Sequence, residues 1–386
     1  MDTPRLPVRN GNAVYIPIEI IDEILDHLRT DESCLRSCAL VSKSWTPSCR
    51  KHIFYRVTLG DPLGFVKWTN SIPAAPNGPH LYTRELTIIN RYLEKEYHRS
   101  PENLTLFLKH FTLFCNVQDL VIECSANRQT IDNISVPDVF GHLFDTLRSL
   151  SIRGAFCSPQ ALISLVASFQ HLERLNLDGF WFSSSETPRP LPERHIFRGA
   201  FHLTDWDDSS EEFVSLLTEH DLQYREVCVN GECWLRDTAW NRCLAKCVDN
   251  LEKFSIHWSE NDCFPPDRFK ALTFKNLRSL FVQSSSECTT ILPPPEFLHS
   301  IKSTQLSEIM IDVTVFPPGE ELDEALNWIR DYDEALCQLA NQLDPSSSGS
   351  EKLVLTLGLV EELPDPTAVL PRFSKMGVLK IEAMGM

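Results

Sequence analysis

The sequence predicts an α/β protein in which a short helical segment precedes a long array of parallel strands and helices. Three observations lead to this prediction. Apolar residues recur at helical spacing between about residues 17 and 55, whereas short apolar strands recur from about residue 84 onward. The chain has 386 residues, of which 42% are hydrophobic, and this length corresponds to roughly two or three domains or one elongated array.

The N-terminal segment is predicted to form three short helices. Pro17 suits the first turn of the first helix, Thr30 and Asp31 can cap the second, and Thr46-Pro47 resembles the start of a third. Helices of this size bury too little core to be stable comfortably alone. We therefore expect one apolar face to pack internally and another to contact a partner. The apolar residues of the first helix are Ile20, Ile21, Ile24, Leu25 and Leu28.

Three stretches in this segment occur in a characteristic order: Ile16 to Leu28, Leu35 to Trp45, and Arg50 to Phe54. They contain a Pro start, an Ile/Leu helix, a Leu-Val-Ser-x-x-Trp centre and an Arg/Phe close. This pattern resembles an F-box of the form found in large fungal F-box families. Ile16 replaces the initial Leu of that family, which is a conservative change in volume. The resemblance covers about 45 residues of the chain and assigns residues 14–58 to the F-box.

The resemblance implies a docking function. F-box helices pack into the Skp adaptor of Skp–cullin–F-box ubiquitin ligases, a cullin-RING class, and the rest of the chain holds the protein to be modified. For Trp45, core packing and adaptor contact are equally good interpretations, whereas for Leu25 and Leu28 contact with the adaptor is favoured. The matched positions placed at the adaptor contact are Pro17, Ile20, Ile21, Ile24, Leu25, Leu28, Leu40, Val41 and Trp45.

The remaining residues contain a repeat of the form apolar-x-x-apolar-x-apolar, as in Leu172-x-x-Leu175-x-Leu177. Successive copies are most often spaced by about 26 residues, and this register is similar to a leucine-rich repeat. Residues 59–386 are therefore predicted to form an irregular leucine-rich-repeat-like solenoid, with parallel strands on the concave side and helices on the convex side. The middle apolar residues of the copies are Leu86, Leu120, Leu150, Leu175, Phe201, Val227, Phe254, Leu280, Ile309, Leu353 and Leu379.

Helices are predicted between these strands at 160–169, 211–218, 237–248 and 295–300. Two places break the period. A Ser/Pro-rich surface loop is expected near 183–192. A long helix over 322–343 followed by a linker at 344–350 explains one unusually long interval.

Target binding is expected on the strand surface, because residues that alternate with the buried ones face the concave side. A mild acidic excess there would favour a basic target segment. Four tryptophans follow four consecutive strands, and they either anchor a target or fill space between strand ends and loops. The candidate target-binding residues are Trp181, Trp206, Trp234, Trp258, Phe281 and Met310.

Composition excludes several other functions. The net charge of −17 argues against a nucleic-acid or anionic-membrane binder, and no apolar run is long enough to span a bilayer. The 13 cysteines include no C-x-x-C pair, and we expect no metal, cofactor or catalytic residues because no catalytic motif is present. We expect a soluble intracellular protein, cytoplasmic or nuclear, that serves as a ligase substrate receptor. The alternative is a leucine-rich-repeat scaffold that acts outside a ubiquitin ligase.

Overall fold

The fold is α/β, with three helices at the N-terminus followed by a large parallel sheet. It is seen in a computed structural model of the full chain. The structure describes residues 16–59, 78–90, 111–124, 140–154, 156–182, 195–206, 210–230, 238–258, 272–284, 295–303, 305–312, 321–341, 354–359, 370–375 and 379–383. The predicted loop at 183–192 and the predicted linker at 344–350 lie outside these residues.

The predicted N-terminal helices are confirmed, and local sequence explains their ends. Pro17 precedes the first helix, and the Asp31 carboxylate caps the second by accepting the backbone N–H of Cys34 at 2.9 Å. This hydrogen bond is the main reason why the pKa of Asp31 is lowered to about 2. Pro47 lies in the first turn of the third helix, where its missing N–H costs nothing. The three helices are α1 (Ile18–His27), α2 (Glu32–Val41) and α3 (Thr46–Ile53).

Later helices coincide with the ones predicted between strands. Helix α4 packs against α5, and α5 packs against α6. The long predicted helix is also present, as α8, and it contacts α7 and α9. These helices are α4 (Pro159–Ala167), α5 (Ser210–Leu217), α6 (Thr238–Cys247), α7 (Glu296–Ser300), α8 (Glu321–Asn341) and α9 (Pro371–Lys375).

The sheet contains 13 strands in the described part of the chain, and every neighbouring pair is parallel. Its main path follows the order of the sequence from β1 to β15. Three two-residue strands lie off this path: β5 pairs with β6, and β10 pairs with β12 in a separate two-stranded sheet. The strands are β1 (Arg56–Leu59), β2 (Glu85–Asn90), β3 (Asp119–Cys124), β4 (Ser149–Arg153), β5 (Phe156–Cys157), β6 (Arg174–Phe182), β7 (Ile196–Trp206), β8 (Asp221–Asn230), β9 (Lys253–Trp258), β10 (Leu272–Thr273), β11 (Ser279–Ser284), β12 (Ile301–Lys302), β13 (Glu308–Asp312), β14 (Val354–Leu359) and β15 (Leu379–Ala383).

Strand register aligns the middle apolar residues of the predicted motif. Leu86 pairs with Leu120, Leu120 with Leu150, and Leu150 with Leu175, and the row continues through the sheet. From Leu86 to Ile309 the residues of this row are buried, because they face the core that the helices cover. The predicted periodicity therefore corresponds to a continuous row of inward side chains.

One repeat position was predicted wrongly. The row passes through Leu355, which pairs with Ile309 on one side and Leu379 on the other, and not through Leu353. Side chains alternate with a period of two, so residues 353, 355 and 357 all fit the apolar pattern. Only the pairing of β14 with its neighbours distinguishes these alternatives.

Two weak copies of the motif lack its first apolar residue for visible reasons. Before β2, Thr83 takes that position and is fully buried despite its hydroxyl. In β7 the buried side chain comes from Phe197, one residue earlier than the motif requires. The register with β8 shifts between Gly199 and Ala200, which pair with Tyr224 and Glu226, so that Arg225 is an extra residue in β8. A β-bulge of this kind adds one residue to a strand without breaking the sheet.

The junction between α3 and the sheet is short. Strand β1 begins at Arg56, two residues before the predicted end of the F-box at 58. Only Phe54 and Tyr55 separate α3 from β1. The Tyr55 carbonyl accepts two backbone hydrogen bonds at 3.0 Å, from Arg84 and Glu85. Val57 and Leu59 of β1 pack against the main core, so the sheet begins almost immediately after the third helix.

The last described helix is held by a buried carboxylate. Asp333 of α8 is buried, and its two oxygens accept the backbone N–H groups of Arg372 at 3.0 Å and Phe373 at 2.8 Å. These N–H groups belong to the first turn of α9, which has no partners for them within the helix. The side chain of Asp333 thus joins α8 to α9.

We expect the Asp333→Ala substitution to lower the free energy of unfolding by about 2 kcal/mol, because it leaves two helix N–H groups without a partner. Chemical denaturation measures this loss, and hydrogen exchange at 371–375 localises it. Glu334→Ala is the matched control. Its only described ion pair joins two exposed side chains, Glu334 and Arg372, at 3.7 Å, and is worth at most about 1 kcal/mol. Equal losses in the two variants would contradict the capping role.

Candidate interaction surfaces

The three N-terminal helices have a small hydrophobic core of their own, formed by Ile21, Leu25, Leu35 and Cys49. It is distinct from the main core of the sheet. Leu25 has no exposed surface, and Leu28 and Trp45 are partly buried against this core. The structure therefore differs from the expectation that Leu25 faces a partner. Helical spacing alone shows two apolar rows on α1 and does not say which row turns inward.

A second apolar row remains on the surface of these helices. Ile20 and Ile24 lie one turn apart on α1 and are exposed, as are Leu40 and Val41 at the end of α2. Leu40 is 88% exposed and Val41 is 69% exposed, the two highest values among the large hydrophobic residues that the structure describes. Exposed apolar side chains that lie next to each other, as Leu40 and Val41 do, characterise sites of protein contact.

The nine predicted adaptor-binding positions thus fall into three groups. Two are buried in the small core, two are partly buried, and five are exposed. The buried pair supports the helices from inside, and the exposed residues can touch a partner directly. The exposed positions, called the docking surface from here on, are Pro17, Ile20, Ile24, Leu40 and Val41.

Hydrogen bonds in the turn between α2 and α3 hold Leu40 and Val41 in place. The Thr46 hydroxyl donates to the carbonyl oxygens of Ala39 at 3.1 Å and Ser42 at 3.3 Å. The Trp45 backbone N–H also donates to the Ser42 carbonyl at 3.1 Å. Because the end of α2 is fixed on both sides of Leu40 and Val41, these side chains are presented on an ordered backbone.

The second candidate surface is the face of the sheet opposite the core, called the open face from here on. Its side chains alternate with the buried row and are mostly exposed or half-buried. Most of the described acidic side chains on this face are paired. Arg174 contacts Asp119 at 3.1 Å, and Arg153 contacts Glu123 at 3.1 Å and Asp178 at 3.8 Å.

Further pairs continue this pattern along the open face. Thr204 donates a hydrogen bond to Asp178 at 3.0 Å, and His202 lies 3.1 Å from Glu226. Glu308 accepts the hydroxyl of Ser279 at 3.0 Å. These contacts weaken the expectation of a basic target, because a cation would have to compete with donors that already bind the carboxylates. These ion pairs could have been predicted from the sequence, because residues of opposite charge, such as Glu123 and Arg153, occupy the same motif position in neighbouring copies.

The predicted target-binding residues are only partly brought together. Phe281 and Met310 are register partners on β11 and β13, and both are half-buried on the open face. Trp181, Trp206 and Trp258 lie near or at the ends of β6, β7 and β9. That their side chains form a row stays a prediction. Trp234 lies outside the described residues.

Other kinds of site receive no support where the structure is described. No group of three or more His, Cys, Asp or Glu side chains in these ranges is arranged to hold a metal ion. Burial raises the pKa of the Cys228 thiol to about 12, which keeps it protonated at neutral pH. Among the described helices, none combines the length and apolar character that crossing a bilayer requires.

Comparison with known proteins adds no relative. No protein family model matches this sequence, and no curated protein is significantly similar to it.

Proposed function

We propose that this chain is an F-box protein that acts as the substrate receptor of a Skp–cullin–F-box ubiquitin ligase. The observation that carries the proposal is the docking surface. Three short helices expose aliphatic side chains at five of the nine positions at which F-box proteins are expected to meet the Skp adaptor. A small separate core supports them. A monomer gains no stability from leaving Leu40 and Val41 exposed, whereas a partner interface buries them.

The sheet supports the second half of the proposal, in which residues 59–386 are a leucine-rich-repeat-like solenoid. Parallel strands follow one another in sequence order, and equivalent motif residues pair in register from β2 to β15. Stacked repeats generate this arrangement because each unit contacts only its neighbours. Such an array offers a long surface for a target protein, and the transfer of ubiquitin is left to the partner enzymes. The ligase would act in the cytoplasm or the nucleus.

The proposal predicts that Leu40→Asp combined with Val41→Asp weakens binding to the purified Skp adaptor by at least about 100-fold. Both side chains are exposed, so the carboxylates cost the free protein little, but they would be buried without partners in the interface. Calorimetric titration of the full-length chain with the adaptor measures the change. The unfolding midpoint of the variant should remain within a degree or two of the wild type, on the order of the effect of a neutral surface change.

Leu113→Asp is the matched control, because Leu113 is an exposed apolar residue outside the three helices. It receives the same substitution and should leave adaptor binding unchanged. If the wild type does not bind the adaptor, or if the double variant binds as tightly as the wild type, the receptor function is refuted. The scaffold function outside a ligase would then be the better explanation of the repeat array.

A further inference from the structure

The open face has a central row of side chains that differs from its two flanks. Six register partners across β6, β7, β8, β9, β11 and β13 are called the central row from here on. The same register continues beyond them, to Ser151 of β4 on one side and Thr356 of β14 on the other. The first four residues of the row have polar or short side chains. The last two have large apolar side chains. In order the six residues are Asn176, His202, Cys228, Ser255, Phe281 and Met310, of which Cys228 is buried and the other five are half-buried.

The carboxylates near this central row are already engaged. Asp178 accepts a hydrogen bond from Thr204, Glu226 contacts His202, and Glu308 accepts one from Ser279. Breaking such a contact to form another returns little free energy. Asn176 and Ser255 are half-exposed on the open face. Their amide and hydroxyl groups can form hydrogen bonds with neutral groups of a partner without breaking an ion pair.

The apolar end of the row has a defined geometry. Phe281 and Met310 are neighbours in register, and the His257 ring meets the Phe281 ring edge to face, with centroids 6.5 Å apart and planes at 79°. Phe281 therefore has an aromatic contact with His257 of β9, and Met310 is its register partner on β13. Partly exposed aromatic and methionine side chains are typical anchors for an apolar residue of a partner.

We propose that this central row binds an extended, uncharged segment of a partner protein that crosses the strands and places an apolar side chain against Phe281 and Met310. The inference rests on the proposed receptor function, because it assigns the chemistry of the target. Five inter-strand steps of about 4.8 Å make the row about 24 Å long, and about seven extended residues span that distance. The apolar residue lies at one end of this segment, and neutral polar residues lie at the other.

The test uses a displayed library of random decapeptides, selected on the immobilised full-length chain. The expected result is enrichment of peptides with near-zero net charge and one aromatic or large aliphatic residue at a recurring position. Fluorescence anisotropy then gives the Kd of the strongest synthetic peptide. Phe281→Ser combined with Met310→Ser should raise this Kd at least about tenfold. Between low and high salt the Kd should change by less than about threefold, because no ion pair contributes.

Two variants distinguish lost contact from lost folding. Phe281→Leu combined with Met310→Leu keeps the apolar surface and should bind within about threefold of the wild type. Leu113→Ser, outside the open face, should have no effect. Enrichment of Lys- or Arg-rich peptides, no enrichment, or unchanged binding by the Ser variant would each overturn the inference. The Ser variant should also bind the Skp adaptor normally, so this result is separable from failure of the docking surface.

Discussion

Replacing Gly199 by alanine is expected to lower the free energy of unfolding by about 3 kcal/mol or more. Gly199 has a φ of 86°, a conformation that a residue with a Cβ rarely adopts. A Cβ at this position would lie 1.9 Å from the carbonyl oxygen of Glu173. That oxygen also accepts the Ala200 N–H at 2.7 Å, so it cannot move without breaking the pairing of β6 with β7.

Chemical denaturation measures the loss, and hydrogen exchange should show it first in β6 and β7. Gly141→Ala is the control, because the nearest atom to its new Cβ would be Cε2 of Phe144 at 4.0 Å, an ordinary contact. We expect Gly141→Ala to change stability by less than about 1 kcal/mol in either direction. A similar small change for Gly199→Ala would show that the bulge relaxes easily and that its geometry is not required.

Replacing Leu25 by alanine is expected to cost the three-helix unit about 3 kcal/mol, because a fully buried leucine leaves a cavity in a core of only four buried residues. Units this small have little stability to lose. The helices should therefore unfold locally while the sheet, which has a separate core, keeps its unfolding midpoint. Adaptor binding should fall together with the helical protection measured by hydrogen exchange.

Ile24→Ala is the matched control for this prediction. Ile24 is the preceding residue on α1, but it belongs to the docking surface and is exposed. Its replacement should change stability by less than about 0.5 kcal/mol and still weaken adaptor binding, because contact area is lost without loss of structure. The assignment of the two rows would be reversed if Leu25→Ala left the helices intact and Ile24→Ala unfolded them.

Most strands were predictable because their inward-facing apolar residues repeat in the pattern apolar-x-x-apolar-x-apolar, which is rare in the rest of the sequence. Leu150 and Ile152, for example, identify β4 without any knowledge of its neighbours. The two-residue strands carried no such signal. Strand β1 was missed because Val57 and Leu59 follow directly on a helical pattern, and a short apolar pair does not distinguish the end of a helix from a strand.

The candidate surfaces were predictable only in part. The sequence proposed both Leu40 and Leu25 as contact residues, and the structure leaves Leu40 exposed but buries Leu25. Which apolar residues of α1 turn inward depends on how that helix packs against the rest of the three-helix unit. The neutral row on the open face also escaped prediction. Residues such as Asn176 and Ser255 have no distinctive pattern along the chain, and only the register between strands brings them into line with Phe281.

The two-residue junction at Phe54 and Tyr55 has a consequence for any assembly in which this chain serves as a bridge. A hinge needs a few residues whose backbone dihedrals are free to change, and here the Tyr55 carbonyl is already committed to Arg84 and Glu85. If the chain bridges an adaptor and a target as proposed, main-chain hydrogen bonds at this junction would set the angle between them, and side-chain substitutions leave those bonds in place. On that proposal, substitutions on either surface would change what it binds without changing the distance between the two surfaces.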